Sequence, residues 1–249
     1  MIELKDVYKV FPPRGGVGDP VVAVDGVSLS VGAGETLCLI GTSGCGKTTT
    51  MKMINRLIEP TRGAITVGGE DVAAQDVIRL RRRLGYVIQK GGLFPHMTIA
   101  RNVGLLCEEE GWDAERTRAR VDELLNLVNL PPEEFRARYP RDVSGGQRQR
   151  VGVARALALD PDYVLMDEPF GALDPITRSQ LHDEFADLKT KVKKTIVIVT
   201  HDMEEAFKLG DKVALMNAGR VVQVGVEQDF RERPASAFVS EFLSSHLGP

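Results

Sequence analysis

A glycine-rich segment of eight residues constrains this chain more than any other feature of its sequence. Residues 41–48 read Gly-Thr-Ser-Gly-Cys-Gly-Lys-Thr, after the apolar run Leu37–Ile40 and at the start of an apolar-periodic segment that extends from Lys47 to Ile58. This order predicts a strand, a tight turn and a helix. Glycines adopt torsions that are closed to other residues, so successive amide N–H groups can converge on phosphate oxygens. The helix N-terminus adds partial positive charge and Lys47 adds a full one.

The predicted phosphate loop also provides a metal ligand, because the Thr48 hydroxyl can bind Mg²⁺. A glycine-rich turn could match this pattern by chance, but the complete spacing between a strand and a helix argues against that. We interpret Cys45 as a small filler within the loop rather than a redox sensor. The residues assigned to nucleotide contact in this segment are Gly41, Thr42, Ser43, Gly44, Cys45, Gly46, Lys47, Thr48 and Thr49.

Composition excludes several classes of protein. The 249 residues carry a net charge of -3, so we expect no basic surface for nucleic acid. The three cysteines have no metal-ligand spacing, and their odd number argues against a disulfide framework and for a reducing compartment. The N-terminus alternates like a strand and lacks the apolar stretch of a signal peptide. The longest apolar runs, such as Ile196–Val199, are too short to cross a bilayer.

The order of patterns along the chain predicts an α/β core interrupted by a helical insert. The first thirty residues indicate two antiparallel strands, and Pro60 marks the expected end of the helix after the phosphate loop. Helical spacing dominates residues 91–160, for instance at Val121, Leu124, Leu125 and Val128. The apolar runs Tyr163–Met166 and Thr195–Val199 are typical of buried parallel strands.

Both buried runs end in residues with chemical capability. In open parallel sheets, ligands bind beyond the carboxyl ends of the strands. The first run ends in Asp167 and Glu168, and the second in Thr200 and His201. Asp167 can hold Mg²⁺, Glu168 can orient or deprotonate an attacking water, and His201 can sense a γ-phosphate. An acidic pair after a strand can also be a helix cap or a surface turn, and a lone histidine is more often structural.

A third element begins at Ser144, which with Gln147 forms the S-x-x-Q pattern of a helix capping box. Gly145 and Gly146 carry no side chains that would shield the first amides, so the same helix start is a second candidate anion site. One chain then has two phosphate-binding surfaces but one loop that encloses a nucleotide. A symmetric, head-to-tail pair of copies would bury two ATP molecules, each between the loop of one copy and Ser144 of the other.

These motifs together resemble the ATP-binding subunits of ABC transporters over nearly the whole chain. The resemblance implies a P-loop NTPase (RecA-like) α/β core of mainly parallel sheet, made of residues 1–90 and 161–249 and including an antiparallel β subdomain. It further implies an inserted helical subdomain at residues 91–160, within a single domain of residues 1–249. The segments that carry the resemblance are residues 41–48, Gln89, residues 144–147, residues 165–168, Ala172-Leu173-Asp174 and His201.

The resemblance assigns further roles. Phe11 is similar to the aromatic residue that stacks on adenine, although Tyr8 is a nearby alternative. Gln89 resembles the glutamine that contacts Mg²⁺ and links the site to the membrane partner. Asp174 resembles the loop aspartate that couples the two sites of a dimer. Two departures are Val143, where leucine is usual, and the loop from Pro12 to Pro20, which is longer than is common.

Residues 48–58 and 87–96 resemble the uptake ATPases for glycine betaine, choline and related osmoprotectants. This implies transmembrane permease subunits and, indirectly, a solute-binding protein as partners, with the chain at the cytoplasmic face of the cell membrane. Leu93, Phe94 and Pro95 are a candidate docking surface, or alternatively a small buried cluster. An ATPase for another small solute, a non-transport ABC ATPase and a P-loop kinase for a small metabolite remain alternatives. The last would need neither the residues 144–147 nor a dimer.

Overall fold

The computed structural model describes residues 1–13, 15, 17–89, 92–171 and 173–247. Parts of three predicted segments, namely Arg14 and Gly16, Lys90 and Gly91, and Ala172, lie outside the described residues. The chain divides into two compact units, one of residues 1–81 with 195–249 and one of residues 82–194. The assignment of residues 91–160 to a helical subdomain remains a prediction.

Among the residues that the structure describes, the first unit contains two groups of strands and five α-helices. Its strands are β1 (Ile2–Phe11), β2 (Val21–Val31), β3 (Thr36–Gly41), β4 (Arg62–Val67), β5 (Glu70–Asp71), β8 (Thr195–Val199), β9 (Lys212–Asn217) and β10 (Arg220–Gly225). Its helices are α1 (Lys47–Ile54), α2 (Val77–Arg82, which ends at the unit boundary), α8 (Met203–Leu209), α9 (Glu227–Glu232) and α10 (Ala237–Leu247).

An antiparallel sheet of order β2-β1-β4-β5 forms one part of this unit. The prediction of two antiparallel strands in the first thirty residues is confirmed, with Ile2 opposite Val31 and Phe11 opposite Val21. Alternate residues of β1, such as Ile2 and Leu4, are buried. This alternation is the pattern of a sheet with one face toward a core.

Strands β9, β3 and β8 of the first unit are parallel and lie in the order β9-β3-β8, and β10 pairs antiparallel with β9. Cys38 in β3 is opposite Ile198 on one side and Val213 on the other. Every residue of β3 and β8 is buried. Such strands are covered on both faces, which explains why their sequences read as continuous apolar runs.

The helix after the phosphate loop is shorter than the sequence predicts. Apolar spacing and Pro60 suggested a helix to about Ile58, but α1 ends at Ile54. Arg56 has a left-handed φ of 51°, and the amides of Leu57 and Ile58 both donate to the Lys52 carbonyl. A left-handed residue with such return hydrogen bonds is a common way to end a helix. The apolar residues beyond Ile54 therefore belong to the connection to β4.

In the described part of the second unit there are two parallel strands and five α-helices. Its elements are β6 (Leu84–Val87), α3 (Ile99–Glu109), α4 (Ala114–Leu127), α5 (Pro132–Phe135), α6 (Gly145–Ala156), β7 (Tyr163–Asp167) and α7 (Pro175–Val192). The predicted helical face at Val121, Leu124, Leu125 and Val128 is confirmed, since all four residues are buried. Among the residues described, no helix has both the length and the apolar character needed to span a membrane.

Candidate nucleotide-binding site

Two glycines of the phosphate loop are required because the backbone passes too close to other chain segments for a side chain. Gly41 ends β3 with a φ of 141°, and a Cβ there would collide with the backbone carbonyl of Met216. Gly46 has a φ of 105°, and its Cβ would collide with the carbonyl of Ala23. These contacts fix both ends of the loop between β3 and α1.

Gly44 serves the loop differently. Its φ of 77° also lies in the left-handed region, but no atom comes within 4 Å of the position that a Cβ would take. Thr42, Ser43 and Gly44 are all exposed. The middle of the loop therefore presents backbone and small polar side chains to solvent, as an anion-binding turn must.

Lys47 is held at the centre of this loop. Its side chain is nearly buried, and Nζ donates to the carbonyls of Gly41 at 2.6 Å and Thr42 at 3.0 Å. The same Nζ lies 3.7 Å from Sγ of Cys45, which is itself buried. A buried ammonium costs free energy unless hydrogen bonds compensate, and these carbonyls do so. The position of Cys45 inside the loop agrees with its interpretation as a small filler.

His201 lies at the same sheet edge as the phosphate loop. Strands β3 and β8 are parallel neighbours, with Leu39 opposite Val199, so their carboxyl ends meet there. The Thr200 amide donates to the Leu39 carbonyl at 3.1 Å, and Asp202 caps α8 by accepting from the Glu205 amide at 3.0 Å. Both neighbours of His201 are thus fixed, while the His201 side chain is exposed.

In the second unit, Gln89 and Glu168 are directly hydrogen-bonded. Strands β6 and β7 are parallel, with Val87 opposite Met166, so the residues after each strand share one edge. Nε2 of Gln89 donates to Oε2 of Glu168 at 2.9 Å. The structure therefore brings together two side chains that are 79 residues apart in sequence and that were both predicted to belong to the site.

The two acidic residues after β7 differ in environment. Asp167 is buried with only 8 % of its surface exposed, whereas Glu168 is partly exposed. Burial and then the charge of Asp167 raise the pKa of Tyr86 to about 12. Glu168 has a left-handed φ of 44°, an unfavourable conformation for a residue with a side chain. Such conformations cluster at functional sites, where they fix the direction of a reactive group.

The capping box predicted at Ser144 is present. Oγ of Ser144 accepts from the Gln147 amide at 3.2 Å, and Oε1 of Gln147 accepts from the Ser144 amide at 2.9 Å. The structural interpretation of this motif is therefore correct, and it leaves the anion-site interpretation open because Ser144 is exposed. Val143, where leucine is usual, is buried, and its carbonyl accepts from Nη1 of Arg148 at 2.6 Å.

Asp174 caps the N-terminus of α7. Its Oδ1 accepts from the Thr177 amide at 3.0 Å. Hydrogen bonds from the Thr177 backbone, and then from its side chain, hold the pKa of Asp174 below its ordinary value. The carboxylate therefore stays ionised at the exposed start of α7.

The two candidate adenine-stacking aromatics have different surroundings. The guanidinium of Arg62 lies 4.5 Å from the Tyr8 ring centroid, and a Cβ on Gly26 would lie 3.0 Å from Oη of Tyr8. Phe11 is the last residue of β1, and Nζ of Lys9 lies 4.9 Å from its ring centroid. Tyr8 is thus the more closely packed of the two rings.

A buried asparagine that sequence reasoning did not single out fixes the backbone at Phe94 and Met97. Oδ1 of Asn102 accepts from the Phe94 amide at 2.8 Å, and its Nδ2 donates to the carbonyls of Phe94 and Met97, both at 3.1 Å. Asn102 is fully buried, whereas the Phe94 side chain is 41 % exposed. A polar residue on the inner face of a helix was the available sequence signal. This geometry favours the exposed-loop interpretation of Leu93, Phe94 and Pro95.

Comparison with protein families decides the classification. Residues 24–171 match the family model described as ABC transporter. This chain belongs to the ABC transporter family. The resemblance proposed from the motifs is therefore confirmed, and with it the P-loop α/β fold class.

Curated relatives are similar over nearly the whole chain. The glycine betaine/carnitine/choline transport ATP-binding protein OpuCA of Bacillus subtilis is 52% identical over 98% of this chain and 62% of its own length. The osmoprotectant import ATP-binding protein OsmV of Salmonella typhimurium is 49% identical over 98% and 63%. YehX of Escherichia coli, the ATP-binding protein of a glycine betaine uptake system, is 47% identical over 100% and 78%. The chain thus spans about 62% of the length of the first of these relatives.

Solved structures agree with this classification. A dimeric, post-hydrolysis state of the ATP-binding cassette MJ0796 bound to ADP and Pi has a TM-score of 0.80 and 32% sequence identity to this chain. The match covers 91% of this chain and 98% of that one.

Proposed function

We propose that this chain is the ATP-hydrolysing subunit of a membrane ABC importer for osmoprotectants such as glycine betaine, choline or related quaternary amines. The observation that carries the solute class is the 52% identity, over 98% of the chain, to a glycine betaine/carnitine/choline transport protein. The phosphate loop carries the ATPase assignment, because its exposed middle and its enclosed lysine are suited to a polyphosphate.

Residues 41–49 bind the phosphates of ATP in this proposal. The amides of the exposed residues Ser43 and Gly44 and the N-terminus of α1 donate to phosphate oxygens. Lys47 exchanges its carbonyl partners for the β- and γ-phosphates. Phe11 is our choice for the adenine platform over Tyr8, because the Tyr8 ring is already packed against Arg62 and Gly26.

Glu168 is the residue that orients or deprotonates the attacking water. Its hydrogen bond to Gln89 fixes the carboxylate at the edge of β7, and the left-handed backbone at Glu168 sets its direction. A carboxylate held in this way can accept a proton in the transition state. His201 contacts the γ-phosphate and so distinguishes ATP from ADP.

The oxygen donors present suit Mg²⁺. Thr48 offers a hydroxyl, Asp167 a carboxylate, and Gln89 the carboxamide oxygen that its bond to Glu168 does not use. Magnesium is usually held by one or two such groups together with substrate phosphates. When bound, Mg²⁺ would neutralise the negative charge that develops on the phosphate oxygens.

Two copies of the chain form a head-to-tail dimer around two nucleotides. Ser144, Gly145, Gly146 and Gln147 of one copy contact the γ-phosphate held by the loop of the other, with Asp174 coupling the two sites. Closure depends on ATP, and hydrolysis removes the contacts of Lys47, His201 and Ser144 that favour the closed state. The solved MJ0796 cassettes, which are dimers, support this arrangement.

Permease subunits receive this motion at the exposed segment around Phe94, and a solute-binding protein delivers the solute to them. The apolar Phe94 side chain is exposed while its backbone is fixed by Asn102, which is the combination expected of a docking residue. The chain then lies at the cytoplasmic face of the cell membrane. We assign no nucleic acid partner, in keeping with the net charge of -3.

Replacement of Glu168 tests the ATPase mechanism. Glu168→Gln keeps the shape of the side chain but cannot accept a proton, so it should bind ATP, lose hydrolysis and accumulate as a dimer with Mg-ATP in size-exclusion chromatography. Glu123→Gln, at an exposed carboxylate paired with Arg120, is the matched control and should behave like the wild type. A Glu168→Gln protein that hydrolyses ATP at the wild-type rate as a monomer contradicts the role given to Glu168.

Purification with the native permease tests the solute. The binding protein that copurifies should bind glycine betaine or choline in calorimetry, and that ligand should stimulate ATP hydrolysis in proteoliposomes. An amino acid or a sugar as the ligand would refute the osmoprotectant assignment while leaving the ATPase mechanism intact.

A further inference from the structure

The two glycines that begin α6 are packed against the segment that carries Asp174. A Cβ on Gly145 would lie 3.2 Å from Cδ2 of Leu173. A Cβ on Gly146 would lie 3.0 Å from Cγ2 of Thr177 and 3.3 Å from Cδ1 of Leu181. Distances of this size leave no room for an added methyl group unless the neighbour moves. The start of α6 therefore has a partner within its own chain.

Thr177 contacts both sides of this junction. Its methyl group faces Gly146, its amide donates to Oδ1 of Asp174 at 3.0 Å, and its hydroxyl is a second hydrogen-bond partner of that carboxylate. One side chain thus touches the helix start that carries Ser144 and the aspartate that caps α7. A shift of either group must be transmitted to the other, because packed contacts of this kind have little freedom.

We propose that Thr177 is a positioning residue that couples the Ser144–Gly146 helix start to Asp174 within one protomer. This inference rests on the proposed function, in which both groups face the partner copy and its nucleotide. Movement of Asp174 on dimer closure displaces Thr177, whose methyl group then moves the start of α6. Within each protomer, Thr177 thus links the nucleotide that Ser144 contacts to the second site of the dimer, to which Asp174 is coupled.

Two near-isosteric variants separate the two contacts of Thr177. Thr177→Ser keeps the hydroxyl and removes the methyl group, whereas Thr177→Val keeps the methyl group and removes the hydroxyl. Both should leave the KM for ATP within about twofold and lower kcat severalfold, because the phosphate loop is untouched. A merely structural role would lower the urea midpoint without this split between KM and kcat.

A rescue experiment tests the methyl contact directly. Gly146→Ala should lower kcat roughly tenfold, which corresponds to about 1.4 kcal/mol of activation free energy, because one methyl group is forced into a packed contact. Adding Thr177→Ser removes the facing methyl group and should restore kcat to within about threefold of wild type. Gly145→Ala is the matched control, because it faces Leu173, and Thr177→Ser should not rescue it.

Several outcomes overturn the inference. Unchanged kcat in Gly146→Ala, a failed rescue by Thr177→Ser, or equal rescue of Gly145→Ala each removes the proposed contact. If Gly146→Ala folds too poorly for kinetics, unfolding midpoints of the two singles and the double variant measure the same coupling, and additive effects count against it. A wild-type chain without ATPase activity refutes the proposed function instead, and the stability cycle still tests the Gly146–Thr177 contact.

Discussion

Substituting alanine at two glycines of the phosphate loop separates what the loop needs to fold from what it needs to bind. Gly44 and Gly46 both have left-handed torsions, with φ values of 77° and 105°. Only at Gly46 would the added Cβ meet backbone, namely the carbonyl of Ala23, whereas the space beside Gly44 is open for 4 Å. Both alanine variants therefore have the cost of a left-handed torsion, but only Gly46→Ala also has the cost of a collision with backbone.

The expected losses of stability follow from these contacts. A left-handed torsion costs a residue with a side chain roughly 1–2 kcal/mol, and this applies to both alanine variants. Forcing a methyl group against fixed backbone adds about 1–3 kcal/mol, and this applies to Gly46→Ala alone. We expect Gly46→Ala to lose about 2–5 kcal/mol and Gly44→Ala about 1–2 kcal/mol of the free energy of unfolding.

Relative to the stability that each variant loses, ATP affinity should fall more in Gly44→Ala than in Gly46→Ala. The methyl group of Gly44→Ala projects from the exposed middle of the loop, where phosphate oxygens are proposed to lie, and should weaken ATP binding at least roughly tenfold. Urea unfolding followed by circular dichroism measures the first quantity, and titration with a fluorescent ATP analogue measures the second. Equal destabilisation of the two variants would refute the close-contact argument. Wild-type ATP affinity in Gly44→Ala would refute the placement of the phosphates.

Two further variants address the second unit. Asn102→Ala should lower the free energy of unfolding by about 1–3 kcal/mol, because the Phe94 amide and carbonyl lose their buried partner. It should also reduce permease-stimulated ATP hydrolysis more than basal hydrolysis. Equal reduction of both rates argues against a docking role for Phe94. The pKa of Tyr86 is raised to about 12, so the folded state favours the neutral phenol. Its contribution to stability is fully present below pH 10 and is lost as the pH rises from 10 through 12. Urea midpoints across that range should fall less steeply in Tyr86→Phe, and identical slopes would contradict the raised pKa.

Much of the site was predictable because its chemistry depends on local sequence. The phosphate loop needs only a buried strand, fixed glycine positions and a helix start, all within residues 36–54. The positions of Glu168 and His201 followed from two apolar runs, since fully buried strands in an α/β fold are parallel and their carboxyl ends are where ligands bind.

Other features were not predictable because tertiary contacts decide them. Periodicity overestimated α1, since the apolar residues after Ile54 continue a helical pattern although the backbone turns at Arg56. Strands β9 and β10 were not identified, although Ala218 and Gly219, with φ values of 46° and 82°, form the left-handed pair that a two-residue hairpin requires. The hydrogen bond between Gln89 and Glu168 joins residues from different strand ends, and no local pattern reports such a distance.

The helix start at Ser144 shows why a motif can be found correctly and explained incompletely. From sequence, Gly145 and Gly146 expose the first amides of the helix to an anion, and Ser144 with Gln147 caps it. The structure contains the capping box, yet Gly146 is buried and the direction of its missing Cβ is toward Thr177 and Leu181. Packing against α7 therefore favours glycine at position 146, whatever the amides bind. A substitution there tests the contact with α7 first, so loss of activity in Gly146→Ala is evidence for an anion site only if Thr177→Ser fails to restore it.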